Sequence, residues 1–231
     1  VASEPAQYSS SIEDYTKVIY GLREPDGGTA TTSRVAAKIG VSNSSASEMI
    51  RKLKEMGLVD HVPYGEIELT EEGLRIAMRM VRRHRLIELY LVDALGYSWD
   101  EVHEEAEILE HAVSDLFLDR ISALLGDPTV DPHGDPIPTK DGDIRTPAAR
   151  CLAELPPGAR GIVARVSDDD PELLRYLSQC KIGLGAPVEV LERRPFDGPL
   201  VIRVGTPPGD AVHNFGKAVT EALFVDLRKG S

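Results

Sequence analysis

The stretch VHEEAEILEHAVSD at positions 102–115 places two opposed demands on one surface. At about 100° per residue, His103, Glu107, Glu110 and His111 share roughly one third of a helix circumference. Val102, Ala106, Leu109, Val113 and Leu116 form a neighbouring apolar stripe. Burying that stripe draws acids into a helix–helix interface, where an unpaired carboxylate is costly. Upstream, the segment VRRHRLIELYL at 81–91 offers His84 and Glu88 at i, i+4, on one helical face. Two imidazoles from one helix with His84 and Glu88 from another make a mixed nitrogen and oxygen cage suited to a divalent first-row metal. Salt bridges to Arg82, Arg83 and Arg85 would relieve the same carboxylates, so a cation and an ion-pair web stand as alternatives.

At 231 residues the chain has room for two or three small domains without a disulfide staple. Cys151 and Cys180 are far apart and lack a partner motif, which fits a reducing compartment and argues against a zinc ribbon. No apolar run approaches the ~20 residues of a membrane span, and no secretory segment opens the chain. A soluble, cytoplasmic protein is expected. Lys and Arg number 26 against 38 Asp and Glu, and the net charge of -12 argues, as a sum, against nucleic acid. Its distribution says otherwise. Between 31 and 59, Arg34, Lys38, Arg51, Lys52 and Lys54 face only Glu48 and Glu55, so that segment is positive.

In chain order, 9–22 predicts an amphipathic helix with Ser10 and Glu13 at capping-box spacing and a stripe of Ile12, Tyr15, Val18, Ile19 and Leu22. Pro25-Asp26-Gly27-Gly28 ends it. Asp14 lies off the stripe and reads, by itself, as an exposed first-turn acid. The block 31–59 predicts a short helix ending at Gly40, a tight turn, and a second helix whose inward stripe is Ala46, Met49, Ile50 and Leu53. This is a helix-turn-helix pattern, with a polar helix start formed by Ser42, Asn43, Ser44, Ser45, Ser47 and Glu48 that can address phosphates and base edges. Arg34 and Arg51 complete the candidate DNA-binding set. Leu58-Val59, a turn at Pro63-Tyr64-Gly65 and Ile67-Glu68-Leu69 predict a wing, and 70–73 opens a long helix carrying Arg75, Arg79, Arg82, Arg83 and Arg85.

The stretch 126–147, rich in Gly, Pro and Asp and without periodicity, predicts a linker in which His133 is a loop residue. Beyond it, strands are expected at 161–166, 187–191, 200–204 and 222–227, with a helix at 171–179, as in a small barrel. Asp168, Asp169, Asp170 and Glu172 fit equally an acidic helix start and metal ligands.

Enzyme motifs are not satisfied. His103-Glu104-Glu105-Ala106-Glu107 has Glu where the zinc-protease pattern needs its second His. The Glu-x-x-His pairs of di-iron bundles are missing, since Ile108 and Asp100 stand three before His111 and His103. No phosphate loop, nucleophile elbow or Ser/His/Asp set occurs, so no catalytic residue, enzymatic activity or organic substrate is expected.

The winged helix-turn-helix, Arg83-His84-Arg85-Leu86 with Glu88, His103-Glu104-Glu105-Ala106 ending in Glu110-His111, and Asp131-Pro-His-Gly-Asp-Pro-Ile-Pro138 together resemble the diphtheria toxin repressor family of metal-dependent transcriptional repressors. The resemblance covers nearly the whole chain. It implies a mainly α fold with β: a winged helix-turn-helix DNA-binding domain at 1–75, a helical dimerisation and metal-binding domain with linker at 76–145, and an SH3-like barrel at 146–231. It implies a homodimer on double-stranded operator DNA and two metal positions per subunit. His84, Glu88 and His103 fall on the first position; Glu107, Glu110 and His111, completed by Asp14, fall on the second; Asp170 and Glu172 fall near the barrel's ligand positions. Iron-responsive members have Met and Cys where this chain has Asp14 and Glu107, so it resembles the manganese transport regulators of actinobacteria. Hard carboxylates in place of soft sulfur agree with Mn²⁺, although Fe²⁺, Co²⁺ or Zn²⁺ can occupy such a cage in vitro.

The expected function is therefore manganese-dependent repression of metal-transport genes, with the metal as corepressor ordering the DNA-reading heads. An iron-responsive repressor, a metal-buffering protein and a metal-independent repressor with an ion-pair web are the alternatives.

Overall fold

The computed structural model describes residues 8–24, 28–61, 65–145, 148–196, 198–206 and 208–227. The helix stop at 25–27, the wing turn at 63 and 64, and the first three residues lie outside them. The chain divides into two compact units, one comprising 1–84 with 138–143 and the other 85–137 with 144–231.

The first unit opens with α1 (Ser10–Gly21), α2 (Thr32–Ile39) and α3 (Asn43–Glu55). Two short strands follow, β1 (Val59–His61) and β2 (Ile67–Leu69), paired antiparallel with Val59 opposite Leu69. The long helix α4 (Glu71–Leu95) starts in this unit. The caps are legible in the residues. Thr31 accepts the Arg34 N–H at the start of α2, Gly40 ends it at φ 78°, and Ser42 accepts the Ser45 N–H to start α3. At α1, by contrast, the N-cap is Ser9 and no side chain caps it, so the expected pairing of Ser10 with Glu13 is not used. Ile12, Tyr15, Ile19, Val35, Ala46, Ile50, Leu53, Leu58 and Ile67 form one buried core, and it holds α1, the helix-turn-helix and the wing together. Leu53 is 0% exposed at its centre. Leu53→Ala is expected to cost about 2–5 kcal/mol, read as a lowered urea midpoint of the transition that reports this unit.

The second unit contains the end of α4, α5 (Val102–Leu109) and α6 (Asp115–Leu124), whose core is Leu86, Ile87, Leu91, Val102, Ala106, Leu118 and Ile137. The expected single helix over 102–115 is broken. α5 ends at Leu109 and Glu110 is its C-cap. The Ala112 N–H turns back to the Leu109 carbonyl, and Ser114 caps a new helix by accepting the Phe117 N–H. An N-capping serine in mid-pattern favours restarting the chain over continuing it.

A six-stranded antiparallel sheet completes this unit, in the order β3-β8-β4-β5-β6-β7. Its strands are β3 (Arg150–Cys151), β4 (Arg160–Val166), β5 (Pro187–Arg193), β6 (Leu200–Val204), β7 (Ala211–Phe215) and β8 (Leu223–Asp226). The helix α7 (Pro171–Gln179) follows β4 and the short α8 (Lys217–Glu221) precedes β8. Val163, Val166, Leu174, Leu177, Val188, Val190, Ile202, Phe215, Leu223 and Val225 fill the interior. Among the described residues, no helix is long and apolar enough to cross a membrane.

The expected linker is folded in its central part. Asp131 Oδ1 accepts from the His133 and Asp135 N–H groups at 2.8 and 2.9 Å, a side-chain turn that replaces regular structure. His133 O accepts from Val166 N at 2.8 Å, which lays this loop on β4. Asp131, His133 and Asp135 are all buried.

Candidate metal centre

Within the second unit, Glu88 on α4 faces histidines from two other segments. Its Oε1 lies 3.4 Å from His103 Nδ1 on α5, and its Oε2 lies 4.0 Å from His133 Nδ1 in the loop. Asp168, just after β4, reaches His103 Nδ1 at 3.6 Å, and Glu107, one turn along α5, lies 3.9 Å from His103 Nε2. Glu88, Asp131 and His133 can each offer a ligand atom, mutually within 4.8 Å, and all three are buried.

The orientation of His133 identifies which nitrogen is available. Its Nε2 is 2.7 Å from the Trp99 carbonyl oxygen, which can only accept, so Nε2 carries the proton and donates. The ring is stacked on Trp99 at 5.9 Å and 17°. In the neutral ring the Nδ1 lone pair therefore points inward, at 0% side-chain exposure, with no hydrogen-bond partner. A backbone carbonyl holding one imidazole nitrogen while the other is presented toward carboxylates is the usual preparation of a metal-ligating histidine.

The charge around it is negative. Burial raises the Asp131 carboxyl well above the usual carboxylate range, and Asp135 and Glu88 raise it further, while Arg85 opposes them. Arg85 stands 3.7 Å from both Asp131 and Asp135 and donates to Pro136 O at 2.8 Å. Arg165 lies 3.3 Å from Asp135 and 3.7 Å above the Phe224 ring. The two guanidinium groups are thus engaged with Asp131 and Asp135, while Glu88 faces imidazoles. The ion pairs shown for Arg85 go to the loop acids Asp131 and Asp135 rather than to the acids of the 102–115 face, and Arg82 donates to Pro138 O.

The remaining expected ligands are placed as follows. Glu110 is fully buried at the end of α5, with His111 Nε2 3.6 Å from its Oε1 in the turn that follows. Asp14, on α1, and His84, on α4 one turn before Glu88, belong to the first unit; Asp14 is half-buried and His84 buried. Of the two readings of Asp170 and Glu172, the structure displays the acidic helix start. Asp170 caps α7 by accepting the Glu172 and Leu173 N–H groups, Pro171 occupies the first turn, and Glu172 is exposed. Asp168 is the barrel residue that reaches the histidine. The expected DNA-binding residues Arg34, Ser42, Asn43, Ser44, Ser45, Ser47, Glu48 and Arg51 are all exposed. Ser42 spends its oxygen on capping α3, and Arg34 donates to Thr29 O at 2.6 Å.

Asp131 and His133 were not among the expected ligands, whereas Asp168 belongs to the acidic run that fits metal ligands and a helix start equally. An Asp-Pro-His-Gly-Asp run carries a usable signal, because an aspartate that captures the next two turns' N–H groups beside Gly and Pro makes a rigid loop, and a rigid loop can present a ligand.

Residues 7–67 match the iron dependent repressor N-terminal DNA binding domain, 70–139 the iron dependent repressor metal binding and dimerisation domain, and 150–212 the FeoA domain. The chain is 33% identical over 184 residues to the iron-dependent repressor IdeR of Mycobacterium tuberculosis (strain ATCC 25618 / H37Rv), spanning 80% of this chain and 71% of the relative. It is 30% identical over 194 residues to the diphtheria toxin repressor of Corynebacterium efficiens, spanning 80% and 84%. A solved manganese-dependent transcriptional repressor in complex with manganese superposes with a TM-score of 0.88 at 49% identity, covering 93% of this chain and 98% of that one. With three successive domains matched and relatives this similar along most of their length, the chain belongs to the diphtheria toxin repressor family of metal-dependent transcriptional repressors.

Proposed function

We propose that this protein is a cytoplasmic, homodimeric repressor for which Mn²⁺ is the corepressor and metal-transport promoters are the targets. The observation that carries the choice of metal is the donor set. Asp14, His84, Glu88, His103, Glu107, Glu110, His111 and the newly recognised Asp131 and His133 supply oxygen and imidazole nitrogen only. Hard donors without sulfur suit Mn²⁺, which binds weakly wherever softer competitors are favoured. One position would be held by His84, Glu88 and His103 with support from Asp131 and His133, the other by Asp14, Glu107, Glu110 and His111. The 49% identical manganese-dependent repressor supports the same assignment.

A bound divalent cation supplies positive charge where carboxylates otherwise repel. In its absence, Asp14, Glu107 and Glu110 carry like charge, and the helix bearing Asp14 gains nothing by approaching the other two. With that charge balanced, α1 is restrained, and α3 with it, because both share one core. Ile108, Leu116 and Leu124 expose 67–70% of their surface on α5 and α6, an apolar face suited to a second copy. A dimer would hold two α3 helices about 34 Å apart, one turn of the duplex.

The test is fluorescence anisotropy of the full chain on promoter fragments from its own metal-transporter genes, with a scrambled duplex, after chelation and along Mn²⁺ and Fe²⁺ titrations. Tight binding only with Mn²⁺ and only on a promoter fragment is expected. Binding indifferent to chelation, or equal on the scrambled duplex, overturns the reading.

Metal binding should also be linked to protons. The raised Asp131 carboxyl must lose its proton to become a ligand, so Mn²⁺ affinity at this position is expected to fall as pH is lowered through that raised pKa and to level off above it. Calorimetry in two buffers of different ionisation enthalpy measures the proton released. Asp131→Asn should reduce that release, and an unchanged release would remove Asp131 from the ligand set.

A further inference from the structure

Operator choice is the question the metal sites leave open, and α3 carries a feature that bears on it. Ala46, Ile50 and Leu53 are buried at 0–1% exposure. At about 100° per residue, the opposite face of the helix is Ser44, Glu48, Arg51 and Glu55, all exposed. A carboxylate therefore stands in the middle of the face that a helix-turn-helix presents to the major groove. Its neighbouring cation does not neutralise it. Arg51 Nη1 lies 3.4 Å from Glu55, one turn further on, and Lys54 donates to His61 O at 2.6 Å. Among the described residues Glu48 has neither ion pair nor hydrogen bond. Ser44 and Ser47 beside it are small and exposed, which leaves the Glu48 carboxylate room to reach a base edge.

We propose that Glu48 is a specificity-determining residue that selects cytosine in each operator half-site, an inference that rests on the repressor reading above. An ionised carboxylate only accepts hydrogen bonds. In the major groove, guanine offers N7 and O6 and thymine offers O4, all acceptors, while the donors are cytosine N4–H and adenine N6–H. Facing guanine or thymine, Glu48 would be desolvated against another acceptor. Adenine sets its N7 lone pair beside its N6 donor, a pairing that fits an amide and repels the second carboxylate oxygen. Cytosine offers its N4 donor without an adjoining acceptor on the same base, so it is the base a glutamate can meet without penalty.

The experiment is selection from a random duplex library by the full-length protein with Mn²⁺, run with the wild type, Glu48→Gln and Glu48→Ala. The wild type should enrich a two-fold motif with one cytosine per half-site favoured about 5- to 150-fold over other bases. Glu48→Gln should move that position toward adenine, and Glu48→Ala should leave it without preference, with the other positions retained. Glu48 is exposed, so both variants should unfold at the wild-type temperature. If both variants select the wild-type base at every position, the assignment to Glu48 is overturned while the repressor reading stands. If the wild type itself enriches no motif, the repressor reading fails and the proposal with it.

Discussion

Asp14→Asn is expected to abolish most of the Mn²⁺-dependent gain in operator affinity, a loss on the order of 100-fold, which is the upper range of a coupling between two sites. The substitution keeps the side chain's shape and removes its charge, so the second metal position would lose an anionic ligand while α1 keeps its packing. The rest of α1 is well fastened. Ile12, Tyr15 and Ile19 sit in the core shared with α2 and α3. Arg23 donates to Ile67 O at 3.1 Å and pairs with Glu68 at 3.0 Å on the wing, while Tyr8 donates to Glu72 at 3.2 Å. A restraint applied at Asp14 is therefore felt by the whole reading head, and its loss should be too. Anisotropy along a Mn²⁺ titration measures the effect, with thermal unfolding of the metal-free protein as the control for folding. A variant that unfolds like the wild type and still shows the full Mn²⁺ response would show that the switch does not run through Asp14. Asp14→Met combined with Glu107→Cys carries the same logic to selectivity: the two soft sulfur donors should shift the metal preference of DNA binding from Mn²⁺ toward Fe²⁺.

The parts of the fold that could be read in advance are those where one local rule decides. α2 and α3 follow from Thr31, Gly40 and Ser42 together with a clean apolar stripe. α7 begins at Pro171 after a capping aspartate and runs as expected to Gln179. What escaped was decided by neighbours distant in sequence. β3 is two residues long, and β7 leaves most of Ala211–Phe215 exposed at the edge of the sheet, so neither has the alternation that marks a strand. The break after Leu109 escaped because Glu110 and His111 continue the helical spacing of ligands while Ser114 restarts the backbone. Ligand identity split the same way. Glu88 and His103 announce themselves by spacing within helices, whereas His133 depends on Trp99 to orient it and on β4 to hold its loop. Asp170 looked like a ligand because acids cluster there, yet the backbone of α7 claims its side chain and leaves Asp168 to face His103.

The loop bearing Asp131 and His133 supplies the other large expected effect, because Gly134 admits no side chain. It adopts φ +90°, and a Cβ there would lie 2.1 Å from Ala164 O and 2.9 Å from Arg165 Cα, both backbone atoms of β4 that cannot swing aside. Gly134→Ala should therefore cost about 3 kcal/mol or more, combining roughly 1–2 for the left-handed backbone with about 1–3 for overpacking. Gly126→Ala is the matched control: its φ is +76° and nothing lies within 4 Å, so only the backbone cost, about 1–2 kcal/mol, should appear. Urea unfolding of the two variants separates the terms, and equal losses would mean that the loop does not press on β4 as closely as described. Function should follow stability at this position. Relief of the clash requires the loop to lift from β4, breaking the Val166 to His133 backbone bond and moving His133 Nδ1 away from Glu88. Mn²⁺ affinity at that position should then fall by at least about tenfold, the lower end of what loss of a ligand's supporting contacts produces, while Gly126→Ala should bind Mn²⁺ as the wild type does.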